Sequence, residues 1–313
     1  MNQFRIKYFT GRRSEAGAAL LIIIIGMVVL ATLGIAMYTM TYTANMNQII
    51  AQKAAKAYYL SESGIRIAAS EYRAAANKKD RLVALHGKTF TMPDNSTVTT
   101  EVFPYWFYLP ATSSSISIAA NTPTQITLYL PGGIPPIDDT STTQITFPAS
   151  SLIKYKNGTR ATVSAVTQPQ QPPPDAFNAA NGGTPVTFTI STTISNTISP
   201  GDEFYIGNTY SSPQQPQGPS LGGELILNID SSDTNDYTAR IFPPQKGTIF
   251  VVIPGKISLY SYDFRVITSS PHTVKFTNIQ PLDNPTWPLT VGGGREIYVG
   301  KSVGFRSTSN YGQ

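Results

Sequence analysis

A chain of 313 residues with 13% charged residues and no cysteine has room for one large or two smaller domains, and it excludes a disulfide framework, a Cys-ligated zinc and a thiol nucleophile. Its two histidines, His86 and His272, exclude a His-rich metal centre. Of the net charge of +5, Arg5, Lys7, Arg12 and Arg13 against Glu15 lie before Ala18, leaving 19 basic and 17 acidic residues beyond it and no basic stripe of the kind nucleic-acid binders carry.

The first predicted element is apolar. No charged residue occurs from Ala16 to Gln52. The stretch Gly17–Met40, at about 1.5 Å per residue, spans roughly 36 Å and is long enough to cross a bilayer core. A secretory h-region is shorter, and a globular core helix of this length keeps a polar face. The basic residues before the segment predict a cytoplasmic N-terminus and an exported remainder. Beyond Asn45 the sequence turns polar, yet Ile50, Ala54, Ala57, Ser61, Gly64 or Ile65, Ala68 and Tyr72 recur at helical steps on one face. With no proline before Pro93, the expectation is one helix over residues 18–77. Its narrow apolar stripe must cover either its own β domain or neighbouring copies.

A basic leader over residues 1–17 is followed by Gly17-Ala18-Ala19-Leu20-Leu21 and by a long helix ending in Ala57-Tyr58-Tyr59-Leu60-Ser61-Glu62-Ser63-Gly64-Ile65. Together these resemble PilX-type minor pilins of type IV pili. The start is also similar to the K-type pseudopilin of type II secretion, although the large helical insertion usual there is not evident here. The resemblance covers about residues 10–75. It implies a prepilin peptidase cut after Gly17, with Ala18 as the mature N-terminus. It also implies an assembly helix that includes Ile22, Gly26, Gly34, Tyr58, Tyr59, Glu62 and Gly64, with other pilin subunits and the inner membrane as partners. Major pilins carry Glu at the fifth mature position, where this chain has Ile22. A carboxylate in lipid is costly unless paired. A subunit without it is expected at a filament tip or in a priming complex, or else as a weakly held internal subunit. Gly26 and Gly34 do not make a GxxxG motif.

Past Phe90 the pattern becomes short β-branched and aromatic runs between turn signals. The expected strands are 96–108, 124–130, 143–147, 159–166, 185–194, 203–206, 223–229, 248–253, 256–267, 273–279 and 295–305. The fold class is therefore α+β: a long transmembrane and stalk helix followed by a sandwich or barrel-like exported region. The proline-rich run Gln168–Pro174 suggests a connector dividing a first β-rich region (78–174) from a second (175–313). Ser211–Gly222 is a second such stretch.

Four candidate sites remain. Asp230, Asp233, Asn235 and Asp236 place four oxygen-bearing side chains in seven residues. That density suits calcium, but the spacing is not that of an EF-hand, and an acidic turn between strands is the competing reading. Gly294–Ser302 resembles a phosphate-binding loop with one residue too many between its glycines and no helix to follow. It is better read as a closing strand. The aromatic run Val102–Leu109 either forms a binding surface or packs the helix against the sheet, with packing favoured. His86 is expected on the surface of a connector. No catalytic residue or cofactor is indicated. The leading function is filament priming and assembly, with adhesion at a tip. The alternatives are a membrane-anchored adhesin or glycan-binding protein that never enters a filament, and an anchored hydrolase.

Overall fold

The computed structural model describes residues 12–138, 141–154, 157–169, 177–211, 223–253, 256–282 and 294–310. Most of the leader, the connector beyond Pro169, Asp139 and the stretch 212–222 lie outside the described residues. Helix α1 runs unbroken over Arg12–Ala74. It stops where Lys78 reaches back, its Nζ donating to the carbonyls of Tyr72 (2.9 Å) and Arg73 (2.5 Å), two of the groups a helix C-terminus leaves unpaired. A second helix, α2 (Lys78–Leu85), follows and was not expected from the sequence. Asn77 caps it by accepting from Asp80 N, and Leu82, Val83 and Leu85 are its buried face.

The strands are β1 (Thr89–Thr91), β2 (Thr97–Pro104), β3 (Phe107–Tyr108), β4 (Ile116–Ile118), β5 (Thr124–Leu130), β6 (Ser151–Lys154), β7 (Arg160–Thr167), β8 (Thr184–Ser191), β9 (Asn196–Ile198) and β10 (Glu203–Tyr210). After β11 (Leu225–Asn228) comes a short helix α3 (Tyr237–Arg240). The chain continues through β12 (Gln245–Ile253), β13 (Lys256–Ser269), β14 (His272–Thr277), β15 (Gln280–Pro281), β16 (Arg295–Val299) and β17 (Val303–Asn310).

β10 is the branch point of the main sheet. Phe204–Gly207 pair with β6 along one edge. Along the other edge Glu203 and Phe204 meet β3, while Gly207–Tyr210 meet β16. From β3 the sheet passes through β5, β8, β7 and β6 back to β10, with every pairing antiparallel. Six strands thus close a barrel, which removes free edges. From the far half of β10 an open antiparallel sheet continues as β16-β12-β13-β14-β11. β4 pairs with β9 separately, and β15 adds to β13.

One continuous apolar core runs through the barrel and the open sheet. In the barrel, Phe107 packs edge-on against Phe147 and Phe188, with ring centroids 5.0 Å apart in both pairs, a favoured aromatic geometry. In the open sheet Phe276 does the same with Phe242 and Tyr262. The buried Tyr210 and Tyr262 hydroxyls donate to Thr238 O and Pro243 O, both at 2.7 Å.

Residues Ser61–Gln313 form one compact unit and Met1–Leu60 another. The pairs β5–β8 and β7–β8 cross residue 174, so the sheet joins the two β-rich regions read separately in the sequence. The strand expected at 143–147 is not in a ladder, although Ile145 and Phe147 are buried. Gln144 forms a single antiparallel bridge with Pro136, and the Gln168 side chain also binds the segment. Its Oε1 accepts from Phe147 N and its Nε2 donates to Ile145 O, each at 2.9 Å.

Candidate functional site

The assembly stretch inferred from the sequence lies along α1, and its residues meet different surroundings. Gly17 and Ala18 are within the helix and exposed. Ile22 is 69% exposed, and every large apolar side chain from Leu20 to Tyr42 is likewise open. Residues 17–74 contain an apolar window long enough to cross a membrane, none of it buried within the chain. Gly26 and Gly34 have no atom within 4 Å of an added Cβ. Tyr58 and Tyr59 are also exposed, their rings edge to face at 5.8 Å. Glu62 pairs with Arg66 at 2.6 Å, an exposed i,i+4 contact worth a few tenths of a kcal/mol.

From Ser61 onward the same helix is seated in the β domain. Gly64 is buried, and a Cβ there would lie 2.3 Å from Val98 Cγ1. Ala68 is fully buried, and Tyr72 meets Phe305. Ser307 Oγ donates to Ser61 O at 2.6 Å, and Ser61 Oγ donates to Ser309 Oγ. The seat is the three-stranded sheet β1-β2-β17, in which β2 and β17 pair over eight residues. Glu71, on the flank, accepts from Lys88 and Arg81. Small residues at Gly64 and Ala68 allow this close approach. Gly64 therefore serves a contact within the chain.

The aromatic run divides by the period-2 rule. Tyr105, Phe107 and Leu109 enter the barrel core. Trp106 and Tyr108 face the other way, into a second cluster with Ala68, Leu82 and Leu85. The run thus packs helices onto the sheet, as the packing reading expects. Trp106 lies under Lys301 Nζ, 4.6 Å from the ring, and its buried Nε1 has no hydrogen-bond partner among the described residues. Burial, helped by Asp80, pushes the Tyr108 hydroxyl up to about 12.

His86 is a correction to the sequence reading: it is not a surface residue. Its backbone N–H closes α2 on Leu82 O. Its Nδ1 lies 3.0 Å from both Val102 N and Val102 O and 3.3 Å from Gly133 N, and Phe177 covers the ring at 4.4 Å. Burial lowers its pKa below the ordinary histidine value. The neutral Nε2–H tautomer accepts from Val102 N and Gly133 N.

No family model, curated protein or solved structure matches the chain.

The candidate cation loop is engaged internally. Asp230 accepts from the N–H and hydroxyl of Ser232, which hold its carboxyl below the usual range. Asp233 accepts from Tyr237 N, Thr238 N and Thr238 Oγ1, which anchors α3. Asp236 meets His272 Nε2 at 2.5 Å and Arg240 at 3.6 Å. Asn235 contributes its carbonyl to Arg240 Nε. Among the described residues no three His, Asp or Glu side chains converge on a cation position. In the segment resembling a phosphate-binding loop, Gly300-Lys301-Ser302 is the turn from β16 to β17. There Lys301 pairs with Glu203 at 2.8 Å, and Ser302 Oγ accepts from Thr248 N. A 540 Å³ recess lined by Thr143, Gln144, Thr146 and Gln168 offers hydroxyls and amides and, among the described residues, no titratable side chain.

Sequence reasoning missed the β17 half of the seat and all of α2. The usable signal for α2 was Asn77 as a cap, with Asp80 in the first turn before Leu82-Val83-Leu85.

Proposed function

We propose that the protein is a minor pilin of a type IV pilus-like filament, with a structural role in priming or assembling it. Prepilin peptidase would cut after Gly17. Before assembly the subunit would reside as a single-pass inner-membrane protein with its N-terminus cytoplasmic and its β domain outside. Its partners would be other pilin subunits, and adhesion would be a tip property.

What carries this reading is one observation about α1. A single helix is apolar and open on all sides from Leu20 to Tyr42, and from Ser61 it is built into a β domain. An anchor needs only the first property. Continuation of the helix into the fold is what a subunit needs if the same helix is to move from lipid into a filament. The leader before Gly17 and the Tyr58–Ile65 stretch support the family. Ile22, which forgoes the buried carboxylate of major pilins, supports a position at a tip or in a priming complex.

Mass spectrometry of the mature N-terminus tests the reading. A start at Ala18, with the protein present in sheared filaments, is the expected result. An intact N-terminus and retention in the membrane fraction would favour the anchored adhesin instead.

A further inference from the structure

The uncharged part of α1 is too long for one bilayer. Residues 18–52 carry no charge and would rise about 52 Å as helix, against about 30 Å of hydrocarbon. Fitting all of it into lipid needs a tilt of roughly 55°, outside the 0–40° range that membrane helices adopt. Charge alone therefore does not fix where lipid ends, but the polar side chains do.

Thr32, Thr39, Thr41 and Thr43 each donate a hydroxyl to a carbonyl one turn back, at 2.8–2.9 Å. These groups need no water, which is how hydroxyls are accommodated in lipid. Asn45, Asn47, Gln48 and Gln52 are exposed and make no such bond among the described residues. Each carries two donor hydrogens and an acceptor. Among the last of these threonines, just before Asn45, stand Tyr38 and Tyr42, one turn apart, with rings stacked at 6.4 Å and 71% and 57% exposed. Tyrosine favours the headgroup region, with its ring in the apolar zone and its hydroxyl in the wet one. From Ala18 to Tyr38 the helix rises about 30 Å, the thickness of the hydrocarbon core.

Resting on the membrane reading above, we infer that Tyr38 and Tyr42 are the lipid-headgroup contact of the exported side, and that α1 leaves lipid between Tyr38 and Asn45. Met46, Ile49 and Ile50 then stand in water although no charge separates them from the apolar segment.

The absence of cysteine makes thiol scanning direct. Single variants of the full chain, Ile24→Cys, Leu33→Cys, Gln48→Cys and Gln52→Cys, are reconstituted in vesicles of zwitterionic and anionic phospholipid and treated with a membrane-impermeant maleimide. The reactive thiolate does not form in lipid, so labelling should be at least roughly tenfold slower at Ile24 and Leu33 than at Gln48 and Gln52. The double change Tyr38→Leu/Tyr42→Leu should deepen insertion and slow labelling at Gln48. Protection at Gln48 and Gln52 in the parent would overturn the boundary while leaving a membrane helix in place. Labelling of Gln48 that does not respond to the double change would overturn the tyrosine contact. Prompt labelling at Ile24 and Leu33 would sink the membrane reading itself.

Discussion

Gly26 and Gly64 sit in the same helix and meet opposite surroundings. A carbon added at Gly26 would meet no side chain within 4 Å, whereas at Gly64 it would strike Val98. The apolar residues follow suit: Ile22 and Leu30 are 69% and 71% exposed, while Ala68 is fully buried. Two stretches of one secondary structure thus solve different problems. The later stretch owes its composition to a partner inside the chain, which explains its small residues. Among the described residues the earlier stretch has no such partner, and its composition is that of a helix apolar enough to cross a membrane. A helical stripe read from sequence cannot distinguish the two, because both give the same period.

The comparison can be broken first at Trp106, which ties helices to sheet in the seated region. Trp106→Ala should cost about 3–5 kcal/mol of β-domain stability, measured by urea unfolding. Trp106→Phe should cost much less, since it also removes a buried N–H without a partner. Gly64→Val comes next, with about 1–3 kcal/mol lost through overpacking against Val98. Thermal unfolding of the same domain should not move when Gly26→Val is made, and a comparable loss from Gly26 would erase the distinction.

A third test uses pH. The His86 pKa is depressed in the folded protein, so on acidification the unfolded chain takes up the proton first. The stabilising contribution is complete above about pH 6.5 and declines as pH falls through the lowered folded-state value. His86→Gln should flatten this slope in a denaturation series. The smallest effect has the opposite sign. Gly34→Ala should raise helicity in detergent, by about 0.8–1 kcal/mol of helix propensity, and leave β-domain unfolding unchanged by circular dichroism.

Local regularity was legible in the sequence. The long apolar helix and the alternation in Thr124–Leu130 were readable, because each is a pattern within a few residues, and the packing role of the aromatic run was readable from its density of large rings. What escaped was held by distant partners. Helix α2 has too few apolar residues, Leu82, Val83 and Leu85, to set a period, and its Asn77 cap was its other signal. The strand expected at 143–147 is reduced to one antiparallel bridge between Gln144 and Pro136, with the Gln168 side chain bonded to Ile145 and Phe147, and nothing local announces that. Closure of the barrel depends on β10 meeting β6 on one edge while changing partners at Gly207 on the other, a matter of topology. The calcium reading rested on counting oxygens. Turn and helix-anchoring hydrogen bonds use those same oxygens, and sequence spacing does not say which way they point.

The seat of α1 also sets an order of events. Ser307 lies 246 residues beyond the Ser61 carbonyl that it bonds, and Phe305, which meets Tyr72, is on the same last strand. The helix end can therefore be the first part of the domain to be synthesised and among the last to be secured. Until β17 pairs with β2, Ser61 and Tyr72 lack Ser307 and Phe305 as partners, and the helix end rests on β2 and α2 without its final support.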